Sequence, residues 1–147
     1  MIRAARPDDR AAVEAIVRDA YSMHIARIGK PPGPMLDDYR QLIRDGRVSA
    51  WEEPSGAIAG ILVLLPAADH LLLDNIAVRP DRQGHGIGRR LIAFAEAEAA
   101  RLGLAELRLY THQTMVENIA LYRRLGFVET GRARQAGYDR VFMTKRL

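Results

Sequence analysis

The stretch Arg82-Gln83-Gly84-His85-Gly86-Ile87-Gly88-Arg89 lies between an apolar segment, 70–78, and an amphipathic segment, 87–102. Glycines let a backbone approach a ligand closely, and the free N–H groups at a helix start attract negative charge. The spacing of the glycines fits neither the dinucleotide fingerprint nor the phosphate loop that ends in Gly-Lys-Ser or Gly-Lys-Thr. We therefore expect a turn from a buried strand into a helix, and we expect this turn to bind a phosphate-bearing ligand.

Outward from this turn, hydrophobic periodicity and turn residues predict strands and helices that alternate along the chain. The nearly unbroken apolar character of 70–78 indicates a strand with both faces covered. In the helix that follows, a stripe should face the sheet, formed by Leu91, Ala95, Ala99 and Leu102. The other predicted strands are 1–5, 48–52, 58–65, 107–110, 127–132 and 139–145, and the other predicted helices are 7–21, 37–45 and 116–124. This order predicts an α/β fold with a mixed sheet.

Length and composition restrict the class of protein. A chain of 147 residues that is 48% apolar has the usual size of a single domain, here 1–147, and needs no metal or disulfide to fold. It contains no cysteine, which excludes disulfides, thiolate zinc sites and thiol nucleophiles. The longest apolar run, 57–68, is too short to span a membrane, and the first residues carry no signal region. We therefore expect a cytoplasmic protein without a membrane or metal partner.

The charge of the chain raises the question of a nucleic-acid partner. The net charge is +4, and basic residues are in excess at 79–90 and again from Arg123 to the end. Aromatic residues make up only 6% of the chain and do not alternate with the arginines, so we expect no platform for stacked bases. The sequence therefore predicts a solvated, arginine-rich surface with a local anion site at the first cluster, and no nucleic-acid partner.

Two segments carry a resemblance to a known family. The first has Asn75-Ile76-Ala77-Val78-Arg79-Pro80 before the glycine turn and Arg89-Arg90-Leu91 at its end, and it resembles the acetyl-CoA signature of the GCN5-related N-acetyltransferases (GNATs). The second, Asn118-Ile119-Ala120-Leu121-Tyr122-Arg123-Arg124-Leu125-Gly126-Phe127, resembles that family's second signature. The resemblance extends over essentially the whole chain, in outline only for the first third. It implies the GNAT fold, a mixed and mostly antiparallel central sheet flanked by helices.

The resemblance implies an acetyl-CoA site made by these two segments. The backbone of the turn would hold the pyrophosphate, while Ile76 and Val78 would pair with the pantetheine arm and Asn118 would lie near the thioester. An N–H near Ile76 or Ala77 could stabilise the oxyanion that develops at the carbonyl. The implied cofactor-binding residues are Ile76, Ala77, Val78, Gln83, Gly84, His85, Gly86, Ile87, Gly88, Arg89 and Asn118. Among them, His85 is expected to be a solvent-facing spacer rather than a ligand or a base.

Tyr122 is the residue that the resemblance implies as general acid, the proton donor to the departing sulfur. Its alternative role is that of an aromatic packing residue. Family members that acetylate protein N-termini often carry a glutamate base twelve residues before this tyrosine, where the chain has Tyr110. The asparagine is four residues before the tyrosine, whereas many members place it seven before, where the chain has Met115. The sequence therefore departs from the pattern of protein acetylation.

Three side chains are candidates for the general base, with ordered water as the fourth. Asp74 lies on the cofactor strand, where burial could raise the pKa of its carboxyl; alternatively it is a structural acid paired with an arginine. His112 follows the strand of Tyr110 and has an ordinary pKa suited to base chemistry. Glu117 precedes Asn118 and either serves as the base or favours the start of the last helix.

The acceptor should lie against the first third of the chain. The proline-rich loop 30–34 is bracketed by Tyr21, His24, Arg27 and Tyr39, and we expect a lid there; Arg27 could pair with a carboxylate on an amino-acid-like acceptor. The leading hypothesis is an N-acetyltransferase that acts on a small primary amine. A protein N-terminal or lysine acetyltransferase comes second, and a non-catalytic acyl-CoA-binding module is the alternative of another class. The resemblance also allows a homodimer through the last strands.

Overall fold

The computed structural model describes residues 1–147 as seven strands and five α-helices. The strands are β1 (Ile2–Ala4), β2 (Val48–Glu52), β3 (Ile58–Pro66), β4 (Leu71–Val78), β5 (Glu106–His112), β6 (Val128–Gln135) and β7 (Tyr138–Arg146). The helices are α1 (Arg10–Tyr21), α2 (Met23–Ile28), α3 (Tyr39–Arg44), α4 (Ile87–Arg101) and α5 (Val116–Arg124). The strands form one sheet in the order β1-β2-β3-β4-β5-β7-β6, in which only β4 and β5 are parallel. The predicted α/β class with a mixed, mostly antiparallel sheet is confirmed.

The sheet separates at its one parallel pair. Strands β4 and β5 pair only at Leu71↔Leu107 and Leu72↔Arg108, near the start of each strand. Beyond these residues the two strands diverge, and their facing backbone edges are no longer bonded to each other. Because unpaired backbone groups need another partner, this opening is a place where an extended ligand can add to the sheet.

A β-bulge interrupts β4 at the same level. Across from β3, Val63 pairs with Asn75 and Leu64 pairs with Leu73, so Asp74 has no partner residue. A bulge changes which face the following side chains occupy and re-aims the extra residue. Leu71 and Leu73, before the bulge, therefore lie in the core under α4, whereas Ala77, after it, lies in the core under α1, and Asp74 is half-buried. The prediction that this strand is covered on both faces is confirmed, and the divergence of β5 leaves an edge of the strand open to a pocket.

Two apolar cores lie on opposite sides of the sheet. Under α4, Leu91, Ala95 and Ala99 are completely buried, as the stripe predicted. Leu102 is 39% exposed, so its place in that stripe is wrong; the helix ends at Arg101 and Leu102 belongs to its cap. Full burial of a leucine such as Leu91 stabilises the fold by about 1.5–3 kcal/mol. The second core lies under α1 and α3 and includes Val13, Ile16, Val17 and Ile43.

Helix α2 was not predicted from the sequence. It has only six residues, and its serine N-cap makes no side-chain capping bond, so no start signal marks it. Gly29 ends it in the left-handed conformation, with φ 88°. The proline-rich residues that follow form the predicted loop, which continues into a 3-10 turn at Gly33–Leu36. None of the helices combines the length and apolar character that a membrane crossing requires.

Candidate active site

The backbone of β4 offers donors to the opening beside β5. The N–H of Arg79 bonds to the carbonyl of Ala59 on β3 at 2.8 Å. Peptide groups alternate in direction along a strand, so the N–H groups of Ile76 and Val78 face away from β3 and towards the opening. The carbonyl of Val78 also faces that side, where it accepts from the amide of Gln83 at 3.2 Å. Two N–H donors two residues apart therefore line the opening.

The same alternation turns the peptide of Ala77 the other way. Ala77 pairs with Ile61 on β3, and its side chain is buried in the core under α1. Its N–H is therefore directed to β3, and of the two N–H groups considered for the oxyanion, only that of Ile76 faces the opening.

The glycine turn forms an open cradle at the start of α4. Gly84 and Gly86 each have φ 83°, a left-handed conformation that side chains disfavour, and Gly86 is the N-cap of the helix. A Cβ added at Gly84, Gly86 or Gly88 would meet no atom within 4 Å. The first N–H groups of an α-helix have no partner within the helix, and the helix dipole adds positive potential there. The cradle therefore fits an anion such as a pyrophosphate.

The side chains of the turn are arranged around this backbone. Ile87 is 6% exposed and anchors the first turn of α4 in the core. His85 is exposed, and its Nδ1 lies 3.1 Å and 3.2 Å from carbonyl oxygens of its own turn, which agrees with a spacer role. Arg82 is ion-paired with Glu53 at 3.0 Å, whereas Arg89 is exposed and has no acidic partner. Arg90 also lacks an acidic partner but lies over the Trp51 ring, so Arg89 is a cation beside the cradle with neither an acid nor an aromatic ring as partner.

A buried hydrogen-bond network holds β4 from behind. Asn75 is 2% exposed; its Oδ1 accepts from the Tyr21 hydroxyl at 2.6 Å, and its Nδ2 donates to the Tyr39 hydroxyl at 2.9 Å. Tyr21 also reaches the carbonyl of Ile76 at 3.1 Å, and Tyr39 donates to the carbonyl of Pro34. Burial raises the pKa of both tyrosines, so both hydroxyls remain donors. The network fixes the cofactor strand and ties the proline-rich loop to it.

The four residues that bracket the proline-rich loop do not form the lid that the sequence predicted. Tyr39 bonds to the loop at Pro34, whereas Tyr21 bonds to β4 at Asn75 and Ile76 and lines the pocket. His24 is 5% exposed and buried within α2, with an Nδ1 that has no hydrogen-bond partner. Arg27 is ion-paired with Glu117 at 2.8 Å, so this arginine is not available to an acceptor carboxylate as the sequence suggested.

Tyr122 lies on α5 at the other side of the opening. Its ring packs edge-on against Phe127 with the centroids 5.7 Å apart, and the residue is 7% exposed. Its hydroxyl makes no hydrogen bond within the chain and borders the pocket. Burial raises its pKa, so the hydroxyl stays protonated at neutral pH and can donate. Asn118, one turn earlier on α5, borders the same pocket.

Asp74, the bulged residue, borders this pocket from β4. The hydroxyl of Tyr110 lies 3.5 Å from its Oδ1, and its carboxyl also interacts with that of Asp37. Burial raises the pKa of Asp74. Loss of surrounding water, followed by the charge of Asp74, raises the pKa of Asp37 to about 6. The alternative of a structural acid ion-paired with an arginine is not found, since no arginine lies within 4.0 Å of Asp74.

The other two base candidates are less suited to accept a proton. His112 is the last residue of β5, and its Nδ1 accepts from the Thr114 N–H at 3.2 Å. In the neutral ring the proton is therefore on Nε2, so neither nitrogen is free to act as a base. Glu117 is bound by Arg27, whose side-chain hydrogen bond lowers the pKa of this carboxyl to about 2. Such an acid remains ionised and paired at neutral pH.

One pocket is lined by polar groups from β4, β5, α5, the proline-rich loop and β7. The residues that border it on the acceptor side include Asp74, Tyr110, His112, Tyr138 and Arg140. Sequence reasoning missed Arg140 and Tyr138. They belong to β7, where residues two apart share a face, and that period was the available signal.

Comparison with known protein families assigns this arrangement. A family model described as "Acetyltransferase (GNAT) domain" matches residues 44–129, more than half of the chain. The chain belongs to the GNAT acetyltransferase family. The matched residues include β4, the glycine turn and α5, which carry the expected GNAT cofactor site.

Curated relatives match this GNAT chain over part of their length. The ribosomal protein bS18-alanine N-acetyltransferase of Escherichia coli strain K12 is 37% identical over 75 residues, which are 51% of this chain and 51% of that protein. The IAA acetyltransferase of Azospirillum brasilense is 42% identical over 72 residues, which are 48% of this chain and 47% of that protein. The chain thus matches about half the length of these relatives.

Solved structures extend the GNAT likeness over the whole chain. The PaiA N-acetyltransferase from Thermoplasma acidophilum, in complex with coenzyme A, gives a TM-score of 0.82 at 18% identity, covering 100% of this chain and 98% of that one. The ribosomal-protein-S18-alanine N-acetyltransferase from Escherichia coli gives a TM-score of 0.77 at 24% identity, covering 99% and 92%. These likenesses confirm the GNAT fold that the two sequence signatures implied.

Proposed function

We propose that this protein transfers an acetyl group from acetyl-CoA to the primary amine of a small molecule, by direct attack on the thioester. The observation that carries this proposal is the junction of an anion cradle, an unpaired strand edge and a polar pocket. The cradle and the edge suit the phosphate and amide parts of CoA. The pocket at their end is bordered by the Tyr122 hydroxyl and the Asp74 carboxyl, a proton donor and a proton acceptor.

The residues present fit acetyl-CoA. The N–H groups of the turn from Gln83 to Arg89 would bind the pyrophosphate, since backbone donors at a helix start need no side chain to hold an anion. The N–H of Val78 would bind an amide carbonyl of the pantetheine arm, as an added strand does, and this leaves the N–H of Ile76 for the thioester end. Asn118 would lie beside the acetyl end. Acetyl-CoA supplies an acyl group activated for attack by its thiol leaving group.

The side chains of the pocket would manage the protons of the transfer. Asp74, ionised, accepts a proton from the ammonium group of the acceptor, directly or through water, so that the free amine can attack the carbonyl carbon. The N–H of Ile76 stabilises the charge that develops on the carbonyl oxygen. A carbon–nitrogen bond forms and the carbon–sulfur bond breaks, while Tyr122 donates its proton to the sulfur. The proton that the new amide nitrogen loses returns the tyrosine to its neutral form.

The closure of the pocket favours a small acceptor over a protein. The Tyr138 hydroxyl on β7 donates to the carbonyl of Pro31 at 2.6 Å, and Lys30 Nζ lies 4.1 Å from the centre of the same ring. Tyr39 holds Pro34 from the other end. The loop is therefore fastened on both sides of the pocket, which supports a small amine. A protein N-terminus or lysine would need an open groove at this place.

The test is the release of CoA thiol from acetyl-CoA with amines, amino acids, aminoglycosides and short peptides. We expect release with small amines, and loss of turnover in Asp74→Asn with acetyl-CoA binding retained by calorimetry. Release with peptides alone would replace the proposal with protein acetylation. Acetyl-CoA binding without turnover across the whole panel would overturn it in favour of a non-catalytic acyl-CoA-binding module.

A further inference from the structure

Arg140 on β7 differs from the other arginines of the chain. Its guanidinium borders the pocket and lies over the ring of Tyr110, 4.2 Å from the ring centre to Cζ. Its polar contact within the chain is one bond from Nη1 to the Gln135 side chain at 3.1 Å. It has no carboxylate within 4.0 Å and is half-buried. The other arginines without an acidic partner are all exposed: Arg6, Arg40, Arg44, Arg47, Arg89, Arg90 and Arg124.

This state of Arg140 is characteristic of a binding group. An arginine that is withdrawn from water loses hydration, and a carboxylate that accepts two parallel N–H bonds compensates this loss best. The ring of Tyr110 supports the guanidinium from one side, and the fork of N–H donors suits a planar anion such as a carboxylate. The remaining donors have no acceptor within the protein and are open to a ligand in the pocket.

The negative group of the pocket lies at the opposite end of the same tyrosine. The Tyr110 hydroxyl is 3.5 Å from Asp74 Oδ1, while Arg140 covers the ring. Asp74 and Arg140 therefore contact different parts of one tyrosine, and although the charge of Arg140 lowers the pKa of Asp74, no ion pair joins the two groups. A pocket with an acid at one end and an arginine at the other matches a molecule that carries both charges at a short separation.

We propose that the acceptor is a small amino acid-like molecule, whose amine is directed to Asp74 and whose carboxylate is bound by Arg140. This inference rests on the proposed function and adds the chemical class of the acceptor. Lys30 lies over the ring of Tyr138, which lines the pocket beside Arg140, and adds positive charge to this part of the chain. Arg140 thus takes the role that the sequence suggested for Arg27.

The experiment compares each common L-amino acid with its own amide, which retains the amine and lacks the carboxylate. We expect CoA release with at least one amino acid, and a KM for its amide that is higher by roughly ten- to a hundredfold, the loss typical of hydrogen bonds to a charged group. In Arg140→Gln the KM for the amino acid should rise to that of the amide, with little change for the amide itself. Arg140→Lys keeps the charge without the planar fork and should lie between the two.

Arg132→Gln is the matched control, since Arg132 lies on the adjacent strand, is exposed and is already paired with Glu129 at 3.0 Å. Its KM values should equal those of the unchanged protein. Amides that react as well as their amino acids would overturn the inference while leaving the proposed function intact. So would an Arg140→Gln variant that is folded by circular dichroism and impaired equally towards both. No CoA release with any amine would instead count against the proposed function itself.

Discussion

The sharpest prediction concerns the hydroxyl of Tyr122, which Tyr122→Phe removes without changing the ring. The ring would keep its edge-on contact with Phe127. The hydroxyl has no hydrogen-bond partner in the chain, so its loss leaves no buried group unsatisfied. We therefore expect the free energy of unfolding to change by less than about 0.5 kcal/mol, while the proton donor to the sulfur is lost.

The expected effect on turnover is large in comparison. A positioned general acid contributes roughly 10²–10⁴-fold to the rate. The lower bound corresponds to about 2.7 kcal/mol in the activation barrier, at about 1.36 kcal/mol for each factor of ten. Because Tyr122 acts on the leaving group rather than on the phosphates, kcat should fall and KM for acetyl-CoA should stay within about twofold.

Tyr21→Phe is the matched control, since it removes a hydroxyl that bonds to Asn75 at 2.6 Å and to the carbonyl of Ile76 at 3.1 Å. It should cost about 1–3 kcal/mol in stability, because Asn75 is left buried with an unsatisfied oxygen. At this chain length that lowers Tm by about 2–4 °C for each kcal/mol. Steady-state CoA release and thermal unfolding on both variants measure the contrast. Unchanged kcat in a folded Tyr122→Phe would refute the acid role and leave Tyr122 as a packing residue.

The remaining predictions concern the base and the cradle. Asp74 accepts a proton only when ionised and burial raises its pKa, so kcat/KM should decline with falling pH through an apparent pKa above the ordinary value of about 3.9. Asp37→Ala removes the carboxyl whose hydrogen bond lowers the pKa of Asp74, so this limb should move to higher pH; an unchanged limb would show that Asp37 does not act on Asp74. Gly88→Ala adds a methyl group to α4 where no atom lies within 4 Å, so the free energy of unfolding should stay the same or rise by up to about 1 kcal/mol. The KM for acetyl-CoA should rise, because the methyl group would occupy space in the cradle. An unaffected KM would argue against cofactor binding at this turn.

The sequence predicted the elements whose pattern is local. Alternation and helical spacing located all seven strands and four of the five helices, because each period reflects a face that must be buried. The glycine turn was found because residues with free φ stand directly before an amphipathic helix. Helix α2 was not predicted, because six residues without a capping bond are too few to show helical periodicity.

The acceptor side of the site could not be predicted in the same way, because it depends on contacts between distant segments. Arg27 and Glu117 are 90 residues apart in the sequence. Because they form an ion pair, Arg27 is not free to bind an acceptor carboxylate and Glu117 is not free to act as the base. The bulge at Asp74 arises from the register between β3 and β4, which no single segment encodes. Arg140 looks like any other arginine of this chain until burial and the absence of an acidic partner set it apart.

Tyr110 connects these observations. It occupies the position where the resemblance led us to expect a carboxylate in proteins that acetylate N-termini, and a phenol cannot replace that base. In this chain its hydroxyl instead approaches Asp74, the residue that the β4 bulge leaves unpaired, and its ring supports Arg140. A carboxylate at position 110 would place a negative charge beside Asp74 and attract Arg140 into an ion pair within the protein. The tyrosine keeps the acid and the arginine apart and available, so this one substitution both moves the proposed base to β4 and leaves a cation for the acceptor.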